Sequence, residues 1–287
     1  MNPLNAFTVD VEDYFQVSAF ERDIRRSAWP DFESRVERNT QRLLELLERF
    51  DVKATFFILG WIAEKLPSLV ASIHAAGHEI GSHSYWHRLI YEQTPEEFRE
   101  DLRRSKQALE AVTGAAVRIY RAPSFSITSA SAWALDVLAE EGFTIDSSIF
   151  PVRHDRYGIR DANYQPHELK TQSGSLWEAP PTVFRCCGMH VPVAGGGYFR
   201  LYPLSVTRYC LRHVNRTENR PVIFYVHPWE IDPDQPRLQA GSRLTRARHY
   251  VNLSKTEYKL EQLLRMFRFG RLGEVVEQCA TGAIAAA

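Results

Sequence analysis

The chain has 287 residues, 44% hydrophobic and 24% charged, with Lys+Arg and Asp+Glu balanced at 35 each. That length is ample for one large α/β core, and the balance excludes a global field that would favour nucleic acid or an acidic membrane. No apolar run approaches the ~20 residues of a membrane-spanning helix. Met1 to Asp10 lacks the basic and long apolar segments of a leader, and the four cysteines form no CxxC pair. Adjacent Cys186 and Cys187 read as reduced thiols, which predicts a cytoplasmic protein.

In chain order, Leu4–Val11 reads as a buried strand ending in acids. Apolar Val36, Leu43, Leu44 and Leu47, spaced between charges, predict a helix over Ser34–Phe50. Lys53–Leu59 is a β-branched and aromatic strand closed by Gly60. Trp61–Ala76 reads as one helix and His78–Ile80 as a short strand. Thr94-Pro95-Glu96-Glu97 supplies an N-cap, a first-turn proline and a capping-box glutamate for a helix ending at Gly114. Val117–Tyr120 is a strand, Ala130–Glu141 a helix and Phe143–Asp146 a strand. From about Pro151 to Pro221 the pattern loosens, with Gly195-Gly196-Gly197 at a tight backbone position. Pro221–Val226 is a late strand and Ser254–Phe269 a last helix, with Glu257 at its capping-box position. Repeated βα units imply a parallel sheet, open or closed into a barrel.

Two features carry chemistry. In His83-Ser84-Tyr85-Trp86-His87, imidazoles four residues apart on one face of a helical turn can share a metal ion. His74 and His78 have the same spacing, so spacing alone does not decide. The second feature is Asp10-Val11-Glu12-Asp13, three carboxylates at the end of an apolar strand, costly there unless they bind something. Two histidines and a carboxylate, with other positions open to water, make the ligand set of a hydrolytic divalent site, and a second carboxylate can act as base.

These motifs, in this order, resemble the carbohydrate esterase family 4 polysaccharide deacetylases. The match comprises Thr8-Val9-Asp10-Val11-Glu12-Asp13, His83–His87, Arg121-Ala122-Pro123-Ser124-Phe125 and Phe224-Tyr225-Val226-His227-Pro228, and covers roughly residues 4–230. Three further stretches are similar to a subgroup linked to bacterial exopolysaccharide loci and exosortase systems. They are Asp10–Phe15, Asp146-Ser147-Ser148-Ile149-Phe150-Pro151 and Gly195-Gly196-Gly197-Tyr198-Phe199-Arg200.

The resemblance implies a distorted (β/α) barrel of about seven units. It implies one domain over residues 1–287, with the region from about 150 to 287 as a subgroup extension packed on the barrel. It also implies a divalent cofactor, zinc first with cobalt or nickel as substitutes, and an acetylated glycan substrate. The subgroup implies exopolysaccharide biosynthesis, association with its assembly machinery, and action on a precursor at the cytoplasmic face of the membrane. A metal-independent amidohydrolase on a small C–N substrate and a non-catalytic glycan-binding protein are the competing classes.

By the same resemblance His83 and His87 are ligands and Asp10 is the base. Arg121 holds Asp10 through a bidentate contact, and His227 protonates the leaving amine. A backbone N–H near Ser124 or Phe125 is the oxyanion donor. The third ligand is Glu12, on Asp10's side of an extended strand, or Asp13, if the chain turns after Val11. Asp146 orients His227, lines the site or caps a strand end. Trp86, Tyr198 and Tyr14 stack on sugar or pack in the core. Glu178 faces substrate, or is a surface acid beside a buried Trp177.

Overall fold

The computed structural model describes residues 3–154 and 157–282. The first half alternates strand and helix: β1 (Asn5–Val11), α1 (Val36–Arg49), β2 (Thr55–Ile58), α2 (Gly60–Lys65), α3 (Pro67–Ala75), β3 (Glu79–Ser82), α4 (Pro95–Thr113), β4 (Ile119–Tyr120), α5 (Ala134–Glu140) and β5 (Ile145–Asp146). The second half adds the hairpin β6 (His167–Thr171) and β7 (Gly174–Glu178), and the hairpin β8 (Val183–Cys186) and β9 (Met189–Pro192). It continues through α6 (Gly196–Leu201), α7 (Leu204–Arg216), β10 (Ile223–Val226), α8 (Arg243–Tyr250), α9 (Leu253–Met266), β11 (Phe269–Gly270) and α10 (Leu272–Ala280).

One sheet runs β10-β1-β2-β3-β4-β5-β7-β6, with β11 also on β1. Every pairing from β10 to β7 is parallel, and only β6 is antiparallel. The ladder does not close. The free edge of β10 is met by single residues instead of a strand. Thr182 and Ile223 exchange hydrogen bonds of 3.2 and 2.8 Å, and Gly195 bridges Tyr225 in parallel. At Gly195, φ is 142° and a Cβ would overlap Tyr225, so only glycine lets that segment lie against the strand. The outcome is a barrel-like parallel sheet that stays open, with loop residues on its β10 edge. Strands β1, β2 and β10 are wholly buried, and their Phe7, Val9, Phe56, Phe224 and Val226 share one core with Leu43, Leu47, Leu109, Leu211 and Leu263 of the surrounding helices.

Three helix predictions are corrected. Trp61–Ala76 is two helices, broken at Leu66 (φ −132°, ψ 59°), because Pro67 bars the preceding residue from helical geometry. The predicted Ala130 start is a 3₁₀ turn over Ser129–Ser131, and α5 begins at Ala134. Glu257 does not cap α9 but pairs with Arg42 of α1. The Thr94/Glu97 capping box and the left-handed Gly114 bound α4 as expected. No helix among the described residues is long and apolar enough to cross a membrane.

Helix α1 has no local side-chain cap, and Asp13 supplies one from twenty-odd residues upstream. Its Oδ2 accepts the Arg35 and Val36 N–H at 2.8 and 3.1 Å and the Ser34 hydroxyl at 2.8 Å, while Oδ1 accepts the Tyr14 N–H at 3.0 Å. Asp13→Ala should therefore lower the unfolding free energy by about 1–3 kcal/mol, because it strands several buried donors. Denaturant titration checks this, and a loss under ~0.5 kcal/mol would remove the capping role.

Candidate active site

Glu12 follows the last residue of β1, and its N–H turns back to the Asp10 carbonyl at 3.1 Å. The turn aims the carboxylate at the loop after β3. There Glu12, His83 and His87 each offer a ligand atom within 4.8 Å of the others, and all three side chains are buried. Glu12 Oε2 lies 2.6 Å from His87 Nε2. The second Glu12 oxygen accepts from the Trp229 indole at 3.1 Å. Asp13 is not brought to this cluster, because both of its oxygens face the start of α1 and the following backbone.

The helical turn expected for His83–His87 is absent. These residues form a loop with Ser84 and His87 in the left-handed region (φ 65° and 53°). Asp101 of α4 clamps it by accepting the Tyr85 and Trp86 N–H at 2.6 and 3.1 Å. The first N–H groups of α2 donate to the Ser84 and Tyr85 carbonyls, and Arg26 donates to the Trp86 and His87 carbonyls. A Cβ on Gly60 would lie 2.6 Å from the Tyr85 ring, so a side chain there would displace the loop. His83 Nδ1 donates to the Arg121 carbonyl at 2.8 Å, which leaves Nε2 as the lone-pair nitrogen facing the cluster.

Asp10 sits beside the cluster on β1. Arg121 holds it, but through one bond and not two. Nη1 reaches Asp10 Oδ1 and Thr8 Oγ1, each at 2.7 Å, while Nη2 and Nε go to Ser147 Oγ and O. Arg121 donates to acceptors on β1 and on the segment after β5, and that spreads the guanidinium. The other Asp10 oxygen faces His227 Nε2 at 3.9 Å. His227 Nδ1 is held by Glu230 at 3.0 Å, and Glu230 by Arg200 at 2.6 Å. The His227 side chain is 18% exposed, against 3% for Asp10, Glu12 and His87, so it marks the open side of the site.

Burial opposes charge on Glu12, but the facing His87, His227 and His83 override it and hold the carboxyl at about 2. Burial alone would also discharge His227, yet Glu12, Glu230 and Asp10 outweigh it and push the imidazole up to about 9. His83 falls to about 4, chiefly through burial. A neutral, preoriented imidazole is the ligand form of histidine.

Several expected contacts lie elsewhere. The Phe125 N–H donates to the Ala122 carbonyl at 3.0 Å, and its ring packs on Phe150 and Tyr225. The Ser124 hydroxyl meets Ser18 at 2.5 Å. Asp146 does not orient His227. It bonds to Ser148 and lies in register with Glu178, which is buried while Trp177 is half-exposed, the reverse of the surface reading. Burial pushes Asp146 up to about 6 and, with the Asp146 charge beside it, Glu178 well above its usual range. Trp86 is half-buried and packs its ring near Trp29 and Tyr85; the Tyr198 hydroxyl meets that of Tyr157 at 3.1 Å; Tyr14 is buried. Trp229, Glu230, Arg200 and Asp101 were missed from the sequence. Pro228 and Glu230, at the first and third positions after His227, carried a capping signal that could have exposed one of them.

Residues 23–144 match the model of the polysaccharide deacetylase family, and residues 147–277 match that of a domain of unknown function (DUF3473). The first match contains His83, His87 and Arg121, while Asp10 and Glu12 precede it and His227 lies in the second match. A peptidoglycan-N-acetylglucosamine deacetylase of Bacillus cereus is 37% identical over 84 residues, 29% of this chain and 30% of that protein. The putative polysaccharide deacetylase YheN of Bacillus subtilis is 34% identical over 125 residues, 41% and 44%. The matches therefore span less than half the length of these relatives. The crystal structure of a putative polysaccharide deacetylase from Mycobacterium smegmatis shares the fold, with a TM-score of 0.65 at 21% identity over 99% of this chain and 92% of that one.

The folded pKa of His227, about 9, lies above the ordinary 6.5. Its charge thus stabilises the metal-free protein fully below the lower value and is lost as pH rises through the upper one. Glu12→Gln should lower the His227 midpoint in an NMR titration of metal-free protein. An unmoved midpoint would show that Glu12 does not set this charge.

Proposed function

We propose that this chain is a metal-dependent hydrolase that removes N-acetyl groups from an amino-sugar polysaccharide or its precursor. The observation that carries the reading is the buried Glu12–His83–His87 cluster, set beside an Arg121-held Asp10 and a His227 that opens to solvent. Two imidazoles and one carboxylate suit a zinc-type ion, with cobalt or nickel as substitutes, and the donor bond from His83 Nδ1 presents its other nitrogen as a ligand does. Asp13, with both oxygens occupied, does not fit the third position.

An ion held there supplies Lewis acidity, lowering the pKa of a water and polarising the acetyl carbonyl. Arg121 fixes one oxygen of Asp10 and leaves the other to take the proton of the attacking water. His227, held through Nδ1 by Glu230, gives its proton to the departing amine nitrogen. Glu230 and Trp229 hold the imidazole ring in place, the first through Nδ1 and the second by stacking at 5.2 Å. The acid thus comes from the second half of the chain and the ligands from the first, which supports reading the whole as one catalytic unit.

The Asp10–Phe15, Asp146–Pro151 and Gly195–Arg200 motifs support a place in exopolysaccharide assembly, on a precursor at the cytoplasmic face. Four unpaired thiols support a reducing compartment. The printed activity of the Bacillus cereus relative supports an N-acetylglucosamine unit in the substrate.

Acetate release from N-acetylglucosamine oligomers should require added zinc or cobalt after chelation. Asp10→Asn should lower it at least about a hundredfold while metal still binds. His83→Ala, His87→Ala and Glu12→Ala should lose bound metal and turnover together, and Asp13→Ala should keep one metal per chain. Full turnover in the stripped enzyme, or in Asp10→Asn, would defeat the assignment.

A further inference from the structure

The charges of this neutral chain are not evenly spread. Residues 179–217 contain no Asp or Glu, in a sequence with 35 acids among 287 residues. This tract folds into β8, β9, α6 and α7. On α7, Arg208, Arg212 and Arg216 recur every fourth residue, so they form one stripe, and all three are exposed. The opposite face, with Thr207, Cys210, Leu211 and Val214, is buried on the barrel.

Beside the stripe, large apolar side chains stand in solvent. Tyr209 is 63% exposed, Val206 42%, Leu201 50% and Met189 62%. The β8–β9 hairpin is fixed next to α7, because Phe184 packs edge-on to Tyr209 and His213 at 6.0 and 5.3 Å. Its tip adds exposed Arg185, Cys186 and Cys187. The first acid beyond the tract, Glu218, is already paired with Arg220 at 2.7 Å.

We propose that α7 and the β8–β9 hairpin form a docking face for a membrane surface rich in anionic lipid. Charge complementarity selects the occupant. An arginine row free of acids matches phosphate headgroups, while Tyr209, Met189, Val206 and Leu201 can enter the boundary between headgroups and chains. Arginine stems lie along apolar surface while their heads stay in the polar layer. A second copy of the chain is the poorer fit, since a two-fold contact through this face would set the arginine rows against each other. The face is tied to the catalytic region by backbone: Gly195, just before α6, pairs with Tyr225, two residues ahead of His227.

The test is co-sedimentation of the full-length protein with vesicles of phosphatidylcholine alone and of equal parts phosphatidylcholine and phosphatidylglycerol. The protein should pellet with the anionic vesicles only, and less in high salt. Reversing Arg208, Arg212 and Arg216 to Glu together should weaken partitioning by about a hundredfold or more. Val206→Ser with Met189→Ser should weaken it about tenfold. Both variants should keep the parent's thermal midpoint and its acetate release from soluble oligomers, which separates docking from folding and catalysis. Failure to pellet with anionic vesicles, or pelleting untouched by charge reversal, would overturn the proposal. So would a dimer lost in the charge-reversed variant without any vesicle binding, because that outcome assigns the face to a second copy.

Discussion

Asp10, Glu12 and Asp13 are three carboxylates within four residues, and all are buried at the end of one central strand. Left together they would repel and protonate, since buried like charges cannot all ionise. The fold resolves this by sending each to a different partner. Asp10 meets a guanidinium, Glu12 meets imidazoles and an indole N–H, and Asp13 meets the open N-terminus of α1. Each solution draws in another part of the chain: β4 through Arg121, the loop after β3 through His83 and His87, and the entry to α1 through Arg35 and Val36. Removing one partner of such a pair leaves an uncompensated buried charge, at a cost of about 3–5 kcal/mol. The strand end is therefore both the catalytic candidate and the structural hub.

The two halves of the chain divide the work. The first half holds rigid groups: imidazoles on a loop clamped by Asp101, and an arginine spread across Thr8, Asp10 and Ser147. The later segment contributes the more exposed His227 and the chain that steadies it, Glu230 and then Arg200, whose guanidinium also gathers the carbonyls of Arg248, His249 and Val251. Arg200 closes the Gly195–Arg200 motif, so that motif has a physical role behind His227. Trp229 links the halves by stacking between His227 and His249 while donating to Glu12.

Much of the fold was legible because its signals are local. Apolar spacing marked α1, the capping box and Gly114 bounded α4, and runs such as Ala54–Leu59 marked strands. Where prediction failed, a local feature had been underweighted, as with Pro67 splitting one helix into two. The parallel order also followed, since repeated βα units allow few other sheets. How the ladder ends was not legible, because Thr182 and Gly195 act as edge partners only once β10 is in place.

The sequence by itself determined which residue types gather at the site: the acids after β1, the histidine pair, the arginine after β4 and the histidine after β10. It did so because each lies at a strand end, and parallel strands deliver their ends to one rim. Only the tertiary structure decided their directions. Glu12 was separated from Asp13 by a one-residue turn, and Arg121 was limited to one bond with Asp10 by its other donors. His83 and His87 were brought together by two left-handed residues instead of a helix, and Asp146 was turned toward Glu178. Those choices rest on hydrogen-bond partners distant in sequence, Thr8 and Asp10 for Arg121 and Trp229 for Glu12, and no local pattern encodes them.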